Sequence, residues 1–244
     1  MRNTKASFAA SARRCRKSGR THQRMPMNVR PLFNLMVIAC LFMAANGCSS
    51  MYYDAMEKVG IHKRDILGER IEDARDSQHD AKQQFNSALE RFQSELNFDG
   101  GDLQNTYQSL NRELERSQAR ADVVRDRIDA VDDVATALFV EWRQEIDQYS
   151  SAKLRRLSNQ QLKQTQRRYH DLLRAMRHAE QRMQPVLRTF QDQVLFLKHN
   201  LNARAVASMR GEFGSIENDV AELIRDMEAS IAKADAFIEE LAAA

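Results

Sequence analysis

The stretch LQNTYQSLNRELERSQARADVVRDRIDAVDDVATALFVEWRQEIDQY, residues 103–149, carries the clearest structural signal of this protein. Seam positions recur along it in alternating steps of four and three, from Leu103 through Leu114 and Val124 to Tyr149, and all of them except Glu145 are apolar, aromatic or small. A heptad pattern sustained for more than six repeats is the seam of a long helix that packs against other helices. We therefore predict one helix here, about 70 Å long at 1.5 Å per residue.

Three similar seams lie on either side of this helix. The first covers residues 71–96, has one polar interruption at Gln78, and ends at NFDGG (97–101), after which Asp102 can cap the next helix. The third follows Ser150-Ser151, begins with Leu154 and Leu157, and runs to Leu201. It passes through Pro185, where we expect a kink or a helix restarted with proline in its first turn. The fourth covers residues 216–241, after an expected helix end at Gly211 and Gly214.

Charge is distributed unevenly among these helices. Residues 122–147 hold eight acids and three bases, residues 153–182 nine bases and two acids, and residues 212–240 nine acids and two bases. The short turn at residues 149–151 lets adjacent helices fold back antiparallel, and opposite charges favour their pairing. We predict an all-α, elongated antiparallel bundle or coiled coil of about four long helices, with the basic helix between two acidic ones.

A targeting segment precedes the helices. Arg30 is followed by an apolar stretch of 14 residues, LFNLMVIACLFMAA (32–45), and then by Asn46-Gly47-Cys48. This order is typical of a secretory signal, and the stretch is shorter than the roughly 20 residues of a membrane span. The Gly47-Cys48 ending resembles the lipobox of bacterial lipoproteins, which implies a diacylglycerol on the Cys48 thiol and cleavage before it. The alternative is an unmodified cysteine at a signal cleavage site.

The domain boundaries follow from this segment. We assign residues 1–47 to a leader and signal peptide, residues 48–55 to a lipid-anchored tether, and residues 56–241 to the helical domain. Because a basic segment of 24 residues is long for the start of a signal peptide, translation from Met25 or Met27 is favoured. Ser49 after the cysteine, rather than aspartate, favours the outer over the inner membrane, with the protein facing the periplasm.

The charge total changes once the leader is set aside. The leader contains nine of the 37 bases and no acid, which leaves 28 bases against 34 acids and a net charge of −6 from Cys48 onward. A nucleic-acid partner is therefore not expected. Membrane contact through the lipid on Cys48 and a protein partner or self-association through the helices are the expected interactions.

No motif for catalysis or metal binding stands out. The histidines after the leader form no HExxH pair and have no cysteine partner. The loop Asp99-Gly100-Gly101-Asp102 lacks the spacing and distal glutamate of a calcium loop, and GxSxG and P-loop motifs are absent. We expect a protein that is not an enzyme and needs no metal or cofactor.

Two dense polar segments and one basic group are the candidate contact sites. Either segment can form a polar network between helices or contact a ligand or partner, and the basic group is a candidate for binding a polyanion, including anionic lipid. The segments contain His62, Lys63, Arg64 and Asp65, and Lys198, His199, Asn200, Asn202 and Arg204; the basic group is Arg155, Arg156, Arg167 and Arg168.

These segments also carry a family resemblance. MEKVGIHKRDILGERIEDARDSQ (56–78), NFDGGDL (97–103), LRRLS (154–158) and VLFLKHNLNARAVASM (194–209) resemble the bacterial lipoprotein family catalogued as domain of unknown function 2959. The resemblance covers essentially all of residues 51–241 and implies a helical envelope lipoprotein with no established activity. The leading hypothesis is therefore a lipid-anchored scaffold of the cell envelope. The alternative is a periplasmic binding module for a polyanion or a small envelope ligand.

Overall fold

The structure, a computed structural model, describes residues 62–96 and 102–243. They form four long helices, which we number α1 (Lys63–Leu96), α2 (Leu103–Gln148), α3 (Ala152–His199) and α4 (Ala203–Ala243). No strand occurs among these residues. The predicted leader, the lipidation site Cys48, the tether and the turn at residues 97–101 lie outside the described residues.

The four helices form an antiparallel bundle. Each helix packs against the next one along the chain, and α4 packs against α1 to close the ring, so α1 lies diagonally opposite α3. The upper end of the bundle, as we call it, contains the start of α1, the turn at residues 149–151 and the end of α4. The lower end contains the end of α1 and the turn at residues 200–202. The predicted all-α fold with four long helices is confirmed.

The predicted helix starts at Asp102 and Ser151 are confirmed. A carboxylate oxygen of Asp102 accepts the backbone N–H of Gln104 at 2.9 Å, and the Ser151 hydroxyl accepts that of Leu154 at 3.4 Å. Each side chain pairs one of the backbone N–H groups that a helix start leaves without a partner inside the helix.

Aromatic rings connect the diagonally opposite helices α1 and α3 through the core. Phe92 of α1 stacks on Phe190 of α3 with ring centroids 4.8 Å apart and planes inclined by 14°, and Phe85 stacks on the same ring at 6.3 Å. All three rings are completely buried. Phe190 therefore holds together two helices that are not neighbours in the ring.

The predicted seams are wrong at the upper end. Of the residues assigned to them, Glu145, Tyr149, Leu154 and Leu157 are exposed, and the buried positions there are Phe139, Ile146, Ser158 and Leu162. An α-helix has 3.6 residues per turn, so a strict heptad drifts by about 20° per repeat in a straight helix. The buried face of α2 consequently moves from the heptad position Glu145 to Ile146. Leu154 and Leu157 are exposed for another reason, because α1 and α4 do not reach that level.

Two predicted helix breaks are wrong, the restart at Pro185 and the end at Gly211 and Gly214. Helix α3 runs through Pro185, where a kink stays a prediction, and α4 includes both glycines. A Cβ atom at either glycine would meet no atom within 4 Å, so neither glycine is required by packing. Leu201, assigned to the third seam, lies in the turn before α4 and is 43% exposed.

Charge pairs confirm the predicted position of the basic helix. Across α2 and α3, Arg177 contacts Asp129 at 2.5 Å and Glu180 contacts Arg125 at 3.3 Å. Across α3 and α4, Arg182 forms ion pairs with Glu222 and Asp226. Exposed pairs of this kind contribute only about 0–1 kcal/mol each, so their main effect is to favour this order of helices over others.

Gln78, the predicted polar interruption, is completely buried. Among the residues that the structure describes, its amide nitrogen and oxygen have no hydrogen-bond partner, and neither has the buried hydroxyl of Ser230 on the adjacent helix α4. An unpaired buried polar group costs about 1–3 kcal/mol. The core therefore contains polar groups that reduce its stability.

Gln78→Met should raise the free energy of unfolding by about 1–3 kcal/mol, because it keeps the side-chain length and removes the unpaired amide. Urea unfolding followed by circular dichroism measures this difference. Gln84→Met on the same helix is the matched control. The Gln84 amide donates to Glu113 at 2.9 Å, so its loss should destabilise the protein. Equal effects of the two substitutions would contradict the assignment of Gln78 as unpaired.

Candidate functional site at the ends of the bundle

The two polar segments that the sequence singles out lie at opposite ends of the bundle. At the upper end, Lys63 pairs with Glu141 at 3.0 Å and Arg64 donates to the carbonyl of Leu241. At the lower end, Arg210 donates to the carbonyl of Leu96, the last residue of α1. The 34 residues of α1 separate these ends by about 50 Å at 1.5 Å per residue. The segments therefore cannot form one site.

The upper polar segment mainly joins helices. Lys63 is 5% exposed and its ammonium group contacts the Glu141 carboxylate, while the bond from Arg64 ties the start of α1 to the end of α4. His62 and Asp65 are exposed, and the His62 carbonyl accepts the backbone N–H of Asp65 at 2.9 Å. Two of the four predicted contact residues thus take part in a network between helices.

A groove opens beside this network. It has a volume of about 380 Å³ and lies between α2, α3 and α4 near the start of α1. Trp142 and Phe237 provide aromatic surface, while Arg168 and Glu240 pair with each other at its edge. The Trp142 indole N–H donates to the Ser158 hydroxyl at 2.9 Å, which fixes the ring in the groove wall.

Tyr169 supports the groove from within the core. It is 2% exposed, its ring packs edge-on against Phe139 at 5.4 Å, and its hydroxyl donates to the Asp132 carboxylate at 2.7 Å. Burial raises the pKa of the Tyr169 hydroxyl well above its ordinary value, and the hydrogen bond to Asp132 raises this pKa further. The neutral form of Tyr169 is therefore favoured by folding.

Tyr169→Phe should reduce the decrease in the free energy of unfolding with rising alkaline pH. Above the ordinary tyrosine pKa of about 10, the unfolded chain releases this proton and the folded chain keeps it. The free energy of unfolding then falls with rising pH, by up to about 1.4 kcal/mol per pH unit from this group. Urea unfolding of both proteins between pH 9 and about pH 11 measures the difference in slope. Identical slopes would show that Tyr169 is not the titrating group.

The four predicted polyanion contacts are in different environments. Arg168 pairs with Glu240, and Arg155 donates to the Tyr149 carbonyl at 2.6 Å while remaining exposed. Arg156 and Arg167 are exposed and have no ion pair within residues 62–96 and 102–243. The four arginines therefore do not act as one patch of unpaired charge.

The lower end presents apolar surface within the segment that the sequence singles out for its polar residues. Leu195, Phe196 and Leu201 are each more than two-fifths exposed. Phe196 lines a shallow hollow with Asn200, Asn202, Arg204 and Ala205. A signal was present in the sequence, because Leu195 and Phe196 are apolar residues between the seam positions Val194 and Leu197, where solvent-facing polar residues are normal.

The asparagines of the lower segment shape its turn. The Asn202 side-chain oxygen accepts the backbone N–H of Ala205 at 3.0 Å, as a helix cap does. The Asn200 amide donates to the Phe196 carbonyl at 3.0 Å. Lys198, His199 and Arg204 are exposed. The turn therefore holds Phe196 and Leu201 outward beside three cationic or titratable side chains.

Two further kinds of feature, a metal-binding cluster and a membrane-spanning helix, are absent from the described helices. Within residues 62–96 and 102–243, no three histidine, cysteine or acidic side chains are grouped closely enough to hold a metal ion. In the same part of the chain, no helix has an apolar stretch long enough to cross a membrane.

A known protein family matches most of the chain. The model of a family described as "Protein of unknown function (DUF2959)" matches residues 52–241. No curated protein and no solved structure matches the chain.

Proposed function

We propose a function for this chain, which belongs to the DUF2959 family of proteins of unknown function. It is a lipid-anchored protein of the bacterial cell envelope that binds a protein partner. The anchor is the lipid that the signal-like segment and Gly47-Cys48 predict. The bundle acts as a non-enzymatic scaffold, and its lower end contacts the partner, which is another envelope protein or a second copy of this chain.

The exposed apolar group at the lower end is the observation that carries this proposal. Leu195 and Phe196 lie in the last two turns of α3, and Leu201 lies in the turn that follows, where capping by Asn202 fixes the backbone. Large aromatic side chains held rigidly at a surface are typical anchors of protein interfaces. Lys198, His199 and Arg204 beside them would form the polar rim of such an interface.

Photocrosslinking in intact cells tests the interaction. A photoreactive amino acid at Phe196 should give adducts of defined mass, and the same group at Val123 should give few. Val123 is a matched control because it is 40% exposed, close to the 42% of Phe196, and lies 20 residues after the start of α2, about 30 Å along that helix from the lower end. Adducts should decrease in the Leu195→Ser/Leu201→Ser variant. A Phe196 probe that yields only uncrosslinked monomer would overturn the proposal.

The groove at the upper end favours a second candidate, binding of a small amphipathic envelope ligand. Its volume of about 380 Å³ lies within the range of about 300–1,000 Å³ found for ligand pockets. Trp142 is the only tryptophan of the chain, so its fluorescence reports directly on the groove. Titration with dodecanoate should change this emission in a saturable way, less in Arg168→Ala. Emission that stays constant would remove this candidate.

A further inference from the structure

The upper end of the α2–α3 hairpin projects beyond the other two helices. Lys63, the first residue of α1, pairs with Glu141, so seven residues of α2, ending at Gln148, extend past the start of α1. These residues add about 10 Å at 1.5 Å per residue. Arg168 pairs with Glu240, only three residues before α4 ends. The first turns of α3 therefore have α2 as their only neighbour among the described helices.

The hairpin tip, as we call it, is this projecting part together with the next turn of α3, residues 143–163. Three large apolar side chains are exposed on it: Tyr149 at 39%, Leu154 at 51% and Leu157 at 47%. Leu154 and Leu157 are three residues apart on α3, so they share one face of that helix. Removing this apolar surface from water would be favourable, and no described part of the chain covers it.

The hairpin tip is also positively charged. It contains five bases and two acids, a net charge of +3, whereas the chain from Cys48 onward has a net charge of −6. Lys153, Arg156 and Lys163 are exposed and form no ion pair with any described residue. Further along α3, by contrast, Arg177 and Arg182 pair with acids of the neighbouring helices. Four of the six bases of this helix that form neither an ion pair nor a hydrogen bond with a described residue thus lie in its upper half, namely Lys153, Arg156, Lys163 and Arg167, and Arg188 and Lys198 lie below.

Exposed leucine and tyrosine beside unpaired lysine and arginine match an anionic lipid surface. Apolar side chains enter the boundary between headgroups and acyl chains, and tyrosine is favoured at that depth. Lysine and arginine are attracted to anionic headgroups at short range. A nucleic acid would also attract the charge, but the exposed leucines would gain nothing from it.

We propose that the hairpin tip binds the anionic lipid surface of the membrane to which Cys48 attaches the chain, an inference that rests on the proposed lipid anchor. Residues 49–62 connect Cys48 to α1, and these 14 residues span at most about 50 Å when extended. They lead to the end of the bundle that carries the tip. Lipid attachment and tip contact therefore act at the same end, and the lower end with Phe196 points away from the membrane.

The test uses the full chain, isolated from cell membranes and reconstituted into vesicles, with an environment-sensitive fluorophore on Leu154→Cys. Vesicles contain phosphatidylcholine alone or with phosphatidylglycerol. We expect a blue shift and stronger emission with phosphatidylglycerol, both reduced by added salt because screening weakens charge attraction. The parent chain, taken through the same labelling, measures any signal from its own cysteines.

Three variants make this test specific. The same fluorophore on Leu201→Cys, 43% exposed at the lower end, should show no shift with either lipid. Lys153→Glu/Arg156→Glu/Lys163→Glu should abolish the shift at residue 154, and Lys198→Glu/Arg204→Glu at the lower end should leave it unchanged. Circular dichroism verifies that each variant keeps its helix content.

The possible outcomes separate this inference from the anchor. A fluorophore at residue 154 that gives the same emission with and without anionic lipid would overturn the inference, whether or not the chain carries a lipid. A shift that occurs without vesicles and grows with protein concentration would overturn it in favour of a second copy. Failure of the anchor alone would be seen as an unmodified Cys48 by mass spectrometry, with the shift at residue 154 still present at high vesicle concentration.

Discussion

Phe190→Ala should lower the free energy of unfolding by about 3–5 kcal/mol, the usual cost of removing a fully buried aromatic ring. Phe190 is completely buried and stacks against both Phe85 and Phe92 across the diagonal of the bundle. The loss is a large fraction of a total stability of about 5–15 kcal/mol. Urea unfolding followed by helical circular dichroism measures it.

Phe196 provides the control for this prediction on the same helix. Its side chain is 42% exposed, so Phe196→Ala should change stability by no more than about 0.5 kcal/mol, as surface substitutions usually do. The two variants remove the same side chain at positions six residues apart. Similar unfolding midpoints for both would mean that the aromatic contact across the bundle does not stabilise it.

Cys48→Ser should abolish incorporation of labelled fatty acid into the protein. The lipobox-like ending places the predicted diacylglycerol on the sulfur of Cys48, and serine has no thiol. Two acyl chains give stable membrane attachment, because each buried CH₂ contributes about 0.8 kcal/mol. Growth of cells with a fatty-acid label, followed by purification of the protein, measures the incorporation.

Cys40→Ser is the matched control, because it removes a thiol of the predicted leader that lies only eight residues before Cys48. We expect it to leave labelling intact. Labelling that survives in Cys48→Ser, or is lost equally in Cys40→Ser, would refute Cys48 as the modified residue.

The sequence predicts much of the fold for a clear physical reason. Heptad spacing from Leu110 to Ala135 on α2, and from Tyr169 to Leu197 on α3, corresponds to buried residues flanked on both sides by other helices. The charge alternation that predicted the order of helices is realised in pairs such as Arg177 with Asp129. Local signals therefore suffice where every helix has all of its neighbours.

The sequence is less informative where helices differ in length. Leu154 and Leu157 continue the apolar pattern of α3, yet they are exposed because α1 and α4 do not reach that level. This cannot be read from spacing, since it depends on which residues of different helices lie side by side. Gln78 is the converse case. It is polar and interrupts the apolar pattern of α1, yet the neighbouring helices bury it completely.

The candidate contact sites also depend on the three-dimensional arrangement of the helices, which residue spacing does not give. The sequence selected polar residues such as Asn202 and Lys63, and the structure assigns these to a helix cap and an ion pair between helices. The surfaces that stand out instead are apolar residues near the two ends, Phe196 and Leu154 among them. Their exposure follows from the three-dimensional arrangement of the helix ends.

We propose that this helical bundle is held to a membrane by lipid on Cys48, and the mass of the N-terminal peptide of the protein isolated from cell membranes tests this attachment. We expect a chain that begins at Cys48 and carries a diacylglycerol on its sulfur. A chain that continues through Gly47, or that begins at Cys48 with an unmodified thiol, would contradict it.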